Sequence, residues 1–203
     1  MTFLKYINRD NLRQASAKYI EIPIARVLSA VGISPNMVTF FGLILSGVAA
    51  YFISIQSFGL AGLALLISGI FDLLDGTLAR LTGRASKFGS LLDSVIDRVS
   101  EGVVLFGFLV LALKNDDFVL AILAYIAFGT GFLVSYARAR SEGLGVTGVV
   151  GIMTRPERVG VIIIGLFSGF VSTALAIIAV FSTLTTIQRF IFSLRNADRQ
   201  NLD

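Results

Sequence analysis

The 203-residue chain has no histidine, no cysteine and no tryptophan, and only 15% of its residues are charged. Each absence removes a class of chemistry. Without cysteine there is no disulfide, thiolate nucleophile or zinc-thiolate site, and without histidine the usual general base and metal ligand near neutral pH is missing. Any reaction must rest on carboxylates, hydroxyls, Lys and Arg. The scarcity of charge matters in its own right, because an ordinary soluble domain carries roughly a quarter charged residues. Here 55% of residues are hydrophobic and the mean hydropathy is +0.84. Such a chain needs lipid to cover much of it, so the composition reads as an all-α integral membrane protein with no nucleic-acid partner.

A membrane-crossing helix needs about 20 mainly apolar residues. The chain parses into six such stretches, approximately 38–56, 59–80, 88–114, 118–138, 159–170 and 171–192. The fifth is short, so it either begins earlier, near Val149, or crosses only part of the bilayer. No long polar stretch is left for a soluble domain and no internal repeat stands out, which leaves a single membrane domain.

Cytoplasmic loops are enriched in Lys and Arg. Clusters fall before the first stretch, around the junction of the second and third, around the junction of the fourth and fifth, and at the C-terminal end; of the 17 basic residues only Lys114 falls on the other side. Both termini are therefore expected in the cytoplasm, which requires an even number of spans, and the location is the cell membrane.

The first 35 residues lack the apolar run of a cleavable signal peptide. Pro23 suits a helix N1 position, Ile24, Val27, Leu28 and Val31 recur at helical spacing, and Gly32 can close the C-terminus. The pattern predicts an amphipathic juxtamembrane helix on the cytoplasmic leaflet. Ser34 and Pro35 then read as N-cap and N1 of the first span. The 20 glycines are mostly expected at close helix contacts, since small residues let membrane helices approach one another.

The informative segment runs from Phe71 to Arg98. Asp72 and Asp75 are three apart and Asp93 and Asp97 four apart, so each pair occupies one helix face. A short basic turn joins the two helices, which makes them antiparallel neighbours and brings four carboxylates together. Each Asp at mid-membrane depth costs about 2.5–3.5 kcal/mol, so four call for neutralisation. Arg80 and Arg98 offset part of the charge, and clustered hard oxygen ligands suit one or two magnesium or manganese ions. A purely structural salt-bridge network would not explain why Gly76, Ala79 and Gly89 share these faces, where small residues clear space for a ligand. A cation or proton pathway is a competing reading, but nothing ionisable continues it across residues 103–113.

The pattern D-x2-D-G-x2-A-R-x8-G-x3-D-x3-D, filled by Asp72, Asp75, Gly76, Ala79, Arg80, Gly89, Asp93 and Asp97, resembles the signature of the CDP-alcohol phosphotransferases. The resemblance implies six membrane helices plus the juxtamembrane helix, with segment 1–35 interfacial, 36–195 the membrane domain and 196–203 a cytoplasmic tail. It implies a cytoplasm-facing site in which Asp72, Asp75, Asp93 and Asp97 hold two Mg2+ or Mn2+ ions. Asp97 doubles as general base, with Asp93 beside it in catalysis. Gly76, Ala79, Arg80 and Gly89, with Asn36 and Thr39, would receive the CDP moiety of a CDP-diacylglycerol or CDP-archaeol donor. A hydroxyl of the acceptor attacks the lipid-bearing phosphorus and CMP leaves. The family also suggests a homodimer.

The acceptor is read from other segments. Ser135-Tyr136-Ala137-Arg138, Arg155-Pro156-Glu157-Arg158 and Gln188-Arg189 all fall at the expected cytoplasmic face. Three guanidiniums gathered in one cavity suit a phosphate dianion. These segments resemble the branch that makes phosphatidylinositol phosphate or archaetidylinositol phosphate, which implies that Ser135, Arg138, Arg158 and Arg189 bind the phosphate of inositol phosphate. Arg140, Arg195 and Arg199 read instead as anchors to lipid headgroups. Two alternatives remain: glycerol 3-phosphate as acceptor, although that branch typically carries Lys where this chain has Arg98, and CDP-inositol as donor.

Overall fold

A computed structural model of the chain describes residues 21–146 and 150–200, with side chains up to Asn196. The described residues are entirely helical outside short connections, in seven helices: α1 (Ile22–Ala30), α2 (Pro35–Ser54), α3 (Phe58–Leu81), α4 (Lys87–Lys114), α5 (Phe118–Gly143), α6 (Arg155–Ser168) and α7 (Val171–Gln200).

The punctuation seen in the sequence sets most of these limits. Pro23 lies in the first turn of α1. The helix closes through a left-handed Gly32, φ +79°, whose N–H reaches the Ser29 carbonyl at 3.0 Å while that of Ile33 reaches Leu28 at 3.0 Å. This is the paired 5→2 and 6→1 closure that glycine permits because it has no Cβ. Ser34 caps α2, its Oγ accepting from the Met37 N–H at 3.3 Å. The same closure ends α3 at Gly83, φ +66°, with Gly83 N–H to the Arg80 carbonyl at 3.4 Å and Arg84 N–H to that of Ala79 at 3.0 Å. Asp117 caps α5 by accepting from the Leu120 N–H at 2.9 Å, and the Glu157 carboxylate reaches back to the Thr154 N–H at 3.0 Å to start α6.

Among the described residues, four helices are long and apolar enough to cross a membrane: α2, α3, α5 and residues Val171–Asn196 of α7. The other two expected spans are helical but differ. The 28-residue α4 has the length, but Lys87, Asp93, Asp97 and Arg98 make its first half polar. The 14-residue α6 begins at Arg155 rather than near Val149 and is only about 21 Å long at 1.5 Å per residue. The last helix runs past residue 192 to Gln200, because polar residues end an apolar pattern without ending a helix.

Two compact units divide the chain, one from residues 1–45 and 67–99, the other from residues 46–66 and 100–203. In the first, Ala25 of α1 and Val38 of α2 bury against Leu74 and Leu78 of α3, with Leu28, Ile33 and Phe71 around them. In the second, Val104, Phe108 and Leu111 of α4 pack with Ala124 and Ala127 of α5, Ile162 and Leu166 of α6, and Leu175 and Ile178 of α7. The close contacts expected of glycine occur in this unit. A Cβ on Gly107 would stand 2.7 Å from the Ala50 carbonyl oxygen and one on Gly165 2.4 Å from the Ala174 Cβ, whereas Gly59, Gly129 and Gly160 have open space around them. Large apolar side chains such as Phe118, Tyr125, Ile164 and Phe170 point outward, as suits helices whose solvent is lipid.

Candidate active site

The last three turns of α3 and the first three of α4 carry the acidic residues, and helical spacing decides how they meet. Carboxylate oxygens of Asp72, Asp93 and Asp97 lie within 4.8 Å of one another. All three residues are partly buried. An all-oxygen donor set this tight suits a small hard cation, whose metal–oxygen bonds of about 2.1 Å place opposite ligands about 4.2 Å apart. The donor chemistry therefore fits magnesium or manganese.

Asp75 stands apart from that group. It is 5% exposed, and its Oδ2 accepts the hydroxyl of Thr39 at 2.7 Å. The sequence pattern brings four carboxylates to one place; the structure gathers three around a common centre and commits one oxygen of the fourth to α2.

Beside these groups lies a cavity of about 240 Å³. All six residues expected around the CDP moiety line it: Asn36 and Thr39 from α2, Gly76, Ala79 and Arg80 from α3, and Gly89 from α4. Asp75 and Asp93 complete its acidic wall. A Cβ at Gly76 would lie 3.4 Å from the Arg80 Nη1, an ordinary contact, and one at Gly89 3.2 Å from the Ser86 Oγ, a tighter one. Arg84 and Ser86 also line the cavity and were missed from the sequence. Their signal was Gly83, whose helix-ending conformation folds the following residues back over the end of α3.

The arginines expected at an acceptor phosphate belong to the second unit. Arg158 is fully buried, its Nε and Nη2 donating to the two carboxylate oxygens of Glu101 at 2.5 and 2.6 Å and its Nη1 to the Met153 carbonyl at 3.2 Å. Arg189, 5% exposed, donates to the carbonyls of Val150 and Val134 at 2.9 and 2.6 Å. Arg138 is exposed and pairs with Glu142 at 2.8 Å, and Ser135 is half-buried one helical turn before it. Arg138 and Arg158 are both near enough to Arg189 to repel it electrostatically, so the three cations share one neighbourhood. Sequence reasoning missed Glu101, which neutralises one of them.

Residues 32–195 match the family model described as CDP-alcohol phosphatidyltransferase. The chain is 37% identical over 167 residues to an archaetidylinositol phosphate synthase of Pyrococcus horikoshii, covering 82% of this chain and 86% of that one. Its fold is similar to a crystal structure of Mycobacterium tuberculosis phosphatidylinositol phosphate synthase with CDP-DAG bound, with a TM-score of 0.79 at 33% identity over 86% of this chain and 93% of that one. A second crystal structure of that enzyme, in complex with manganese and citrate, matches with a TM-score of 0.79 at 32% identity, over 86% of this chain and 89% of that one. The chain belongs to the CDP-alcohol phosphatidyltransferase family.

Proposed function

We propose that the protein transfers a phosphatidyl or archaetidyl group from a CDP-linked lipid to inositol phosphate, releasing CMP. The observation that carries the reading is the three-carboxylate group of Asp72, Asp93 and Asp97 beside a cavity lined by Gly76, Arg80 and Gly89.

In this reading Asp72, Asp75, Asp93 and Asp97 hold two divalent ions. When bound, magnesium or manganese neutralises the diphosphate of the donor and the charge developing on the departing CMP. Arg80 pairs with a donor phosphate, while Gly76, Ala79 and Gly89 leave room for the cytidine beside Asn36 and Thr39. Arg138, Arg158 and Arg189, with Ser135, bind the acceptor's phosphate, so that binding discriminates phosphorylated from free polyols. Asp97 takes the proton of the acceptor hydroxyl. The new oxygen–phosphorus bond forms at the lipid-bearing phosphorus as the bond to the CMP oxygen breaks.

The proposal places residues 36–195 in the cell membrane as one six-span domain, with α4 and α6 as the additional spans. Residues 1–35 lie at the interface and 196–203 form a tail, with both termini and the site cytoplasmic and two copies paired as a homodimer. The basic residues, gathered almost wholly on one side, support the orientation.

A panel of acceptors offered with CDP-diacylglycerol and CDP-archaeol, scored by CMP release and product mass, tests the reaction. Inositol phosphate plus divalent metal should give full release. Release with glycerol 3-phosphate and none with inositol phosphate overturns the acceptor assignment.

A further inference from the structure

One buried carboxylate in the first unit has no part in the reaction described above. Glu21, at the N-cap of α1, is 8% exposed, and its Oε2 accepts the hydroxyl proton of Thr77 at 2.6 Å. The Thr77 oxygen in turn accepts from the Arg80 Nη2 at 2.9 Å. Arg80 is the one member of this chain of contacts that lines the cavity.

Three features make this arrangement directional. A threonine in a helix usually satisfies its hydroxyl on the carbonyl four residues earlier, as Thr82 does on Leu78 at 2.8 Å; Thr77 gives its proton to Glu21 instead. A hydroxyl has a single proton, so once that proton points at Glu21 the oxygen can only accept from Arg80. The surroundings are apolar as well: Thr77 is 4% exposed, and Leu74 and Leu78, on the same face of α3, are buried with Ala25 of α1. Low polarity strengthens each hydrogen bond and polarises the next one along.

We infer that Glu21 and Thr77 are positioning residues for Arg80, so that the docking of the juxtamembrane helix α1 sets the guanidinium that receives the donor's diphosphate. The inference rests on the proposed donor role of Arg80. Glu21 presents its negative charge through Thr77, which holds Arg80 along the cavity wall and opposes its swinging toward bulk water or lipid headgroups. The amphipathic helix thereby tunes donor affinity without touching the donor.

Steady-state CMP release, with donor and inositol phosphate varied separately, tests this on Thr77→Val, Thr77→Ser and Glu21→Gln, alone and with Arg80→Ala. Hydrogen bonds involving charged groups are worth enough to change an equilibrium about tenfold. Thr77→Val should therefore raise the KM for the CDP-linked donor by about tenfold and leave that for inositol phosphate unchanged. Thr77→Ser, which keeps the hydroxyl, should restore the donor KM. Glu21→Gln, which keeps the shape and loses the charge, should give a smaller rise of the same kind and serves if Thr77→Val does not fold. With Arg80→Ala already present, neither change should have further effect. An unchanged donor KM, an equal rise in both KM values, or full additivity with Arg80→Ala overturns the inference. A wild-type enzyme that releases CMP from no CDP-linked lipid overturns the proposed function, and the inference falls with it; active wild type with unaffected Thr77→Val and Glu21→Gln overturns the inference alone.

Discussion

Arg158 and Glu101 meet as a two-pronged pair inside the protein, with nitrogen–oxygen distances of 2.5 and 2.6 Å and side chains 1% and 8% exposed. They lie 57 residues apart in the chain, on α6 and α4. Removing one member of a buried pair leaves the other as an uncompensated charge, at a cost of about 3–5 kcal/mol. Glu101→Ala should therefore lower unfolding stability in detergent by about that amount. The double replacement Glu101→Leu with Arg158→Met should recover most of the loss, because apolar residues of similar volume often replace a buried pair without penalty. It should not recover the use of inositol phosphate, and CMP release at normal acceptor KM in the double variant would exclude Arg158 from acceptor binding.

Gly131 lies against the same pair. A Cβ there would stand 2.9 Å from the Glu101 Oε1 and 3.2 Å from the Arg158 Nε, and neither group can withdraw without breaking a hydrogen bond. Gly131→Ala should cost about 1–3 kcal/mol, the usual range for overpacking, with the acceptor KM rising more than the donor KM. Thermal unfolding together with the two KM values checks this.

Asp97→Asn preserves size and removes the carboxylate proposed as the proton acceptor. General-base catalysis is worth about 10²–10⁴-fold in rate, so kcat should fall by that range while binding of CDP, measured by calorimetry, persists. A variant retaining more than a tenth of the wild-type kcat would move the base to another residue.

Chelation of divalent ions should abolish CMP release, and added magnesium or manganese should restore it. Asp72→Asn removes one of the three gathered carboxylates. The metal concentration needed for half-maximal activity should then rise by at least tenfold, since a lost charged oxygen ligand is worth about 1.4 kcal/mol or more.

Gly89→Val introduces a branched side chain where even a Cβ would lie 3.2 Å from the Ser86 Oγ, on the wall of the 240 Å³ cavity. The donor KM should rise by at least about tenfold, the effect of 1.4 kcal/mol in binding, with unfolding stability nearly unchanged because Gly89 is only half-buried.

What was legible in the sequence follows from how local each signal is. The Ser34-Pro35 start, the Gly32 stop and the Lys114 end of α4 come from residues within a turn of the boundary, and the structure agrees with them. The carboxylate cluster was legible because helical spacing alone puts Asp93 and Asp97 on one face. The particular partners were not. That Asp75 would turn toward Thr39, 36 residues away, or that Glu101 would meet Arg158, depends on which helices become neighbours. The length of α6 was equally hidden, because a short apolar run does not say whether flanking residues continue the helix.

The residues that line the cavity proposed for the donor lie between Pro35 and Asp93, whereas the arginines expected at the acceptor's phosphate all follow Ser135. Fewer than half of the residues, in one uninterrupted stretch, therefore line the cavity proposed for the nucleotide. Inheritance can treat that stretch as a fixed cassette and leave the later helices free to drift toward a different phosphorylated alcohol. It also sets an order in time, since a ribosome finishes the stretch proposed for the donor before it begins the one proposed for the acceptor.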